Sequence, residues 1–144
     1  MKKVFECRCD GIPIAQPRPI VKKKGKAISN HGKVVGWKNI LSYCFMAEMS
    51  KRCRFTNIVF PLTSPLTMSL VFEMPPPRTV KKPDGGLHLQ TPDLDNLTKA
   101  VKDELEKSEV VKNDSQIAEY VEPFKKIWSN NPGVTIILFE GDST

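Results

Sequence analysis

Apolar residues recur along this chain with two different periods, and the changeovers mark its elements. From Lys3 to Cys9, Phe5, Cys7 and Cys9 alternate with Val4, Glu6 and Arg8, the period of two that a strand requires. Trp37, Ile40, Leu41, Cys44, Phe45 and Met49 then fall at i, i+3, i+4, i+7, i+8 and i+12. That stripe predicts a core-facing helix over Trp37 to Cys53, with Lys51, Arg52 and Arg54 suiting its negative end. Alternation returns from Leu66 to Met74 and stops at three prolines. Leu94, Leu97, Ala100, Val101 and Leu105 restore helical spacing, predicting a second helix to about Lys107 with Asp95 or Asn96 as its N-cap. Ile117 to Val121, with an extension open as far as Pro123, and the β-branched run Val134 to Phe139 read as strands, the latter central.

The intervening stretches are polar or proline-rich. GIPIAQPRPIV must be extended, KKKGKAIS gives a weak hairpin signal at Lys24-Gly25, and Arg54 to Pro65 is irregular. RTVKKPDGGLHLQTP has the glycine, proline and charge content of a mobile loop. The order predicts an α+β fold, a mixed β-sheet packed with two main helices. At 144 residues the chain suits one domain, 1–144, with a sizeable core.

Composition excludes several classes of protein. No apolar run approaches the length of a membrane span, and MKKVFECRCDGIP lacks the continuous apolar core of a signal peptide, so a cytoplasmic location is expected. Cys7, Cys9, Cys44 and Cys53 form no C-x-x-C pair and have neither His31 nor His88 close in sequence. Small buried or half-buried thiols in a reducing cell account for them better than zinc does.

The net charge of +6 is segregated. Between Asp93 and Glu122 nine acidic residues face four lysines; the remainder holds eighteen lysines and arginines against seven acids. A basic body attracts phosphate, while an acidic focus can hold a cation. Lys22, Lys23, Lys24 and Lys26 on the ribbon, and Arg78, Lys81 and Lys82 on the loop before Asp93, are the candidate DNA-backbone contacts. Solvated surface lysines are the competing account of each taken singly.

The focus itself is TPDLDNLTKAVKDELEKSEVVKNDSQ, residues 91–116. Asp93 and Asp95 stand before the second helix and Asp114 returns beyond it, an oxygen-donor set suited to a hard divalent cation. Lys99 lies four residues after Asp95 and four before Asp103, on the same helical face, where it can stabilise charge growing on a phosphate. Each residue also has an ordinary role open to it: Asp95 as a cap, Asp114 in an Asx-turn, Lys99 as an i,i+4 partner.

The string P-D-L-D-N-L-T-K-A-V-K-D-E-L, followed by N-D-S-Q-I, resembles the RusA family of Holliday junction resolvases. The resemblance spans Pro92 to Ile117, and Q-P-R-P upstream is more loosely similar to the family's basic N-terminal segment, with Arg18 its candidate DNA contact. It implies a RusA-like fold and a homodimeric endonuclease of bacterial or prophage origin, active in DNA recombination and repair. It implies Mg²⁺ as cofactor, with Mn²⁺ as a substitute, no small-molecule cofactor, and four-way branched DNA as partner. By the same likeness Asp93, Asp95 and Asp114 would be metal ligands, with Lys99 the catalytic lysine. Asp103 falls where the family commonly has an acid, and the loop before Asp93 is longer than in compact members.

Rival nuclease classes fit less well. No D-x-K or E-x-K occurs anywhere, which disfavours the PD-(D/E)xK type, and the two histidines are too far apart in sequence for a His-metal nuclease. A non-catalytic basic DNA-binding protein would explain the basic body but has no use for the acidic focus. A generic phage nuclease for flaps or branches is the remaining alternative.

Overall fold

The computed structural model describes residues 1–16, 31–78 and 84–141. Its elements are β1 (Lys2–Asp10), α1 (His31–Phe55), β2 (Leu66–Met74), α2 (Leu94–Lys107), a 3-10 turn at Asp114–Gln116, β3 (Ile117–Trp128) and β4 (Gly133–Glu140). The four strands form one mixed sheet in the order β1-β4-β2-β3. β4 pairs antiparallel with β1 and β2, whereas β2 and β3 run parallel. A parallel pair needs a crossover, and α2 supplies it. This is the α+β mixed sheet with two helices that the periodicities predict.

β2 lies between β4 and β3, and its two faces differ. Leu66, Met68, Leu70, Phe72 and Met74 are buried in the core cluster shared with Leu97, Val101 and Leu105 of α2 and Trp37, Leu41 and Phe45 of α1. The opposite face carries Thr67, Ser69 and Glu73, each satisfied: Thr67 donates to Glu119, Ser69 to the Pro123 carbonyl, and Glu73 accepts from Arg8 and Ser129. A bulge between Lys3 and Phe5 lets both Val4 and Phe5 be buried, and Phe5 meets Phe45 and Phe60 edge-on.

Several boundaries differ from the sequence pattern. α1 begins at His31, six residues before the apolar stripe, because its first turns carry little apolar sequence to bury. Within the stripe Trp37, Leu41 and Phe45 are buried while Ile40 is exposed. The N-cap of α2 is Asp93, so Asp95 lies inside the first turn. β3 continues to Trp128 because it is an edge strand, where a proline costs no ladder hydrogen bond. Residues 85–88 are not simple loop: Gly85 and His88 donate to Trp128 and Lys126 carbonyls, and Trp128 donates back to Gly86. That strip runs along the outer edge of β3. Cys7 and Cys9 do share a face, with sulfurs 3.8 Å apart, and Cys53 is exposed. The hairpin expected at Lys24-Gly25 lies outside the described residues. Among the described residues no helix is long and apolar enough to cross a membrane.

Candidate active site

Three pieces of chain meet in a cleft of about 310 Å³ between α2 and the edge strand. From α2 come Asp95, Thr98, Lys99 and Lys102, spaced so that all project from one stripe of the helix. The 3-10 turn contributes Asp114, and β3 contributes Tyr120 and Phe124. Folding therefore brings Asp95 and Asp114, nineteen positions apart in sequence, to one cavity that Lys99 also lines.

The helix wall is fixed from both ends. At its start the chain is extended at Asp93 (φ −70°, ψ 148°) and turns at once into helix. Asp93 makes no side-chain cap, although its carbonyl accepts from Leu97. Ahead of it, Lys126 of β3 donates to the carbonyls of Gln90 (2.5 Å) and Pro92 (2.8 Å), holding the approach to Asp93 against the sheet. Burial lowers the pKa of Lys126, and the Asp93 carboxylate, near enough to be felt, opposes that shift. Gln16 N–H donates to the Asn96 carbonyl, so the segment entering Q-P-R-P reaches the first turn of α2. Beneath, Leu97, Ala100, Val101 and Leu105 anchor the helix in the core. Glu104 is also buried there, accepting from Ser108, which the apolar pattern gave no reason to expect.

The helix end determines where Asp114 falls. Val110 N–H donates to Leu105 O and Glu109 N–H to Glu106 O, a Schellman closure with Glu109 in the left-handed position at φ 62°. The chain then buries Val110 and Val111, and Val111 bridges to Leu62. Next comes a capping box: Asn113 Oδ1 accepts from Ser115 N–H, and Gln116 Oε1 accepts from Asn113 N–H at 2.7 Å. Gln116 Nε2 donates to the Leu62 and Ser64 carbonyls at 2.8 and 3.0 Å. Asn113 is thus the capping side chain, which leaves the Asp114 carboxylate to the cleft, while Asp114 N–H donates to Glu106.

Charge in the cleft is mixed. Lys99 pairs with Asp103 at 3.5 Å on an open surface, an i,i+4 contact that holds the ammonium only weakly. Asp93 stands at the helix N-cap, within electrostatic reach of Lys126 rather than on the cleft wall. Among the described residues no three His, Cys, Asp or Glu side chains close into a cation cage. Of the candidate DNA contacts, Arg78 is exposed at the start of the loop, while Arg18, Lys22, Lys23, Lys24, Lys26, Lys81 and Lys82 lie outside the described residues.

The family profile described as Endodeoxyribonuclease RusA matches residues 10–138. The chain belongs to the RusA family. That match covers all of the cleft and every element except β1, of which it reaches only Asp10, and the last two residues of β4. No curated protein matches the chain as a relative. Among the cleft-lining residues of this RusA family member, Thr98, Lys102, Tyr120 and Phe124 were not candidates from the sequence. Lys102 was within reach of it, since it lies three residues after Lys99 and seven after Asp95. Tyr120 and Phe124 were not, because four residues along a regular strand would separate them widely.

Proposed function

We propose that the protein is a Mg²⁺-dependent, structure-selective endodeoxyribonuclease that resolves four-way DNA junctions during recombination and repair. The observation that carries this reading is the convergence of Asp95, Asp114 and Lys99 on one cleft in a RusA family member. One domain, 1–144, would carry the activity, in the cytoplasm of a bacterial or prophage host. A four-way junction is two-fold symmetric and its resolution demands paired cuts, which favours a homodimer with two identical sites.

The donor set fits the cation. Mg²⁺ keeps several waters and is commonly held by one or two carboxylates together with substrate phosphate oxygens. Asp95 and Asp114 offer such a partial set across the cleft, and Asp93, at the helix N-cap off its wall, would serve as the third carboxylate by turning towards the ion. Bound there, Mg²⁺, or Mn²⁺ in its place, would acidify a water and relieve charge on the phosphate. The chain's own groups do the rest. Lys99, held loosely by Asp103, would neutralise charge gathering on the phosphate oxygens and protonate the departing oxygen. Lys102, one turn further, can take a flanking phosphate. The positive N-terminus of α2 lowers the cost of crowding Asp93 and Asp95. Arg18, Lys22, Lys23, Lys24, Lys26, Arg78, Lys81 and Lys82 would grip the arms through their phosphates.

The test is cleavage of a synthetic four-way junction, a flap and a linear duplex with Mg²⁺ and with EDTA. Symmetric cutting of the junction alone, abolished by EDTA and by Asp95→Asn with binding retained, is expected. Equal cutting of flap and junction would replace resolvase by a general branch nuclease, and binding without cutting in either condition would leave a DNA-binding protein.

A further inference from the structure

β3 slips register against β2 at two places, and the larger slip faces the cleft. Met68 pairs with Tyr120 and Leu70 with Phe124, so two steps along β2 correspond to four along β3. The surplus forms a bulge, and Ser69 Oγ donates to the Pro123 carbonyl at 2.7 Å beside it. Residues four apart in an undisturbed strand stand roughly 13 Å from one another. The bulge instead brings the rings of Tyr120 and Phe124 into a parallel stack, centroids 4.4 Å apart and planes 11° from coplanar. Bulges beside active sites characteristically re-aim side chains in this way.

The stack has a buried end and an open end. Phe124 backs onto the core cluster, while Tyr120 is 40% exposed and lines the same cavity as Asp95 and Asp114. Lys102 Nζ stands 6.0 Å from the Tyr120 ring centroid. Within one cleft there are thus carboxylates, two ammonium groups and a flat apolar surface. Those are the complements of a cation, of flanking phosphates and of a base, the three parts that a nucleotide brings to a metal-dependent nuclease. The cavity lies at the small end of ligand-sized pockets, which suits one nucleotide and not a duplex.

We propose that Tyr120, backed by Phe124, is a stacking shelf for one unstacked nucleobase of the strand being cut, with Lys102 on the neighbouring phosphate. This rests on the nuclease reading above and adds a source of selectivity to it. A base inside a continuous duplex has both faces covered by its neighbours. One at the point of strand exchange can offer a face, so the shelf favours branched over linear DNA without reading sequence.

The experiment measures binding of the full chain, in EDTA, to a four-way junction. Junctions carry a single abasic nucleotide at each position flanking the exchange point in turn. Tyr120→Leu keeps apolar cover but removes the ring face; Tyr120→Phe keeps the ring. On the intact junction Tyr120→Phe should bind as the parent does, and Tyr120→Leu should lose roughly 5- to 150-fold, the usual range for a base on an aromatic side chain. At one position the abasic substitution should weaken the parent comparably and Tyr120→Leu no further. Losses that multiply at every position would overturn the shelf, as would a Tyr120→Phe defect equal to that of Tyr120→Leu. If the parent binds junction no better than duplex, the resolvase reading falls. The same non-additivity measured on a short single strand then decides the shelf by itself.

Discussion

Gln116→Leu would cut three hydrogen bonds at once while keeping most of the side chain's bulk. The lost contacts are Asn113 N–H to Oε1 and Nε2 to the carbonyls of Leu62 and Ser64. Each such bond is worth about 0.5–1.5 kcal/mol net. Leu62 O keeps the Lys112 N–H at 3.1 Å, and the Asn113 bond is exposed, so two of the orphaned groups find other partners. The expected destabilisation is therefore about 1–3 kcal/mol, not the upper sum. For a chain of this size that lowers the midpoint of thermal unfolding by about 3–10 °C. Activity should suffer beyond that, because Gln116 ties the turn bearing Asp114 to the loop at residues 62–64. A carboxylate displaced by an ångström commonly costs on the order of 100-fold in rate. Single-turnover cleavage at 25 °C, well below the melt, should fall about 10- to 100-fold with junction affinity within about three-fold. Asn113→Ala, which removes the reciprocal Ser115 cap, should move both quantities in the same direction and by less. A variant that melts lower yet cuts normally would refute the link between this turn and the chemistry. An unchanged melt would refute the energetic premise.

Three further outcomes are expected. Lys99→Ala should reduce the cleavage rate far more than junction affinity; a defect confined to affinity and relieved at low salt would reassign the side chain to phosphate docking. Glu109→Gly should raise the unfolding midpoint by about 2–4 °C, since glycine adopts the left-handed position without steric penalty; a lower midpoint would contradict the closure of α2 described above. His88 is buried against Trp128, and burial first, then the Lys126 charge, lowers its pKa below the ordinary 6.5. Its unfolded form takes up a proton more readily, so its contribution is full above pH 6.5 and is lost as pH falls through the folded value. Thermal melts between pH 7.5 and 5 should slope downward for the parent and less for His88→Phe; parallel curves would exclude His88 as the source.

Periodicity located β1, β2, α2 and β4 because each buries one face against a common core. It failed where burial is not what shapes the chain. The opening turns of α1 carry Gly32, Lys33 and Gly36 and leave Val35 exposed, so no apolar stripe announces them. Pro123 reads as a strand end, but on an edge strand it sits in a bulge and the ladder resumes. For the cleft, the convergence of Asp95, Lys99 and Asp114 was legible because helical spacing and a polar N-D-S-Q turn are local signals, whereas Asp93 falls at the N-cap and off the wall. The capping side chain could not be told from the cleft side chain until the turn was folded, and it is Asn113, not Asp114, that caps. The Tyr120–Phe124 pair depends on a mismatch between two strands, which a single strand's sequence does not record.

Every residue on the cleft wall comes from one continuous stretch between Asp95 and Phe124. β2 and the core support this stretch from beneath, and two clamps tie it to the loops beside it: Lys126 on the carbonyls before Asp93, and Gln116 on those of Leu62 and Ser64. A cleft lined from one stretch of chain tolerates changes of length in the loop that leads to it. The segment between Pro75 and Asp84 can lengthen, shorten or exchange its charges, provided residues 85–88 return to the edge of β3 and the two carbonyls that Lys126 grips return to their places. Loop and cleft can then evolve at separate rates.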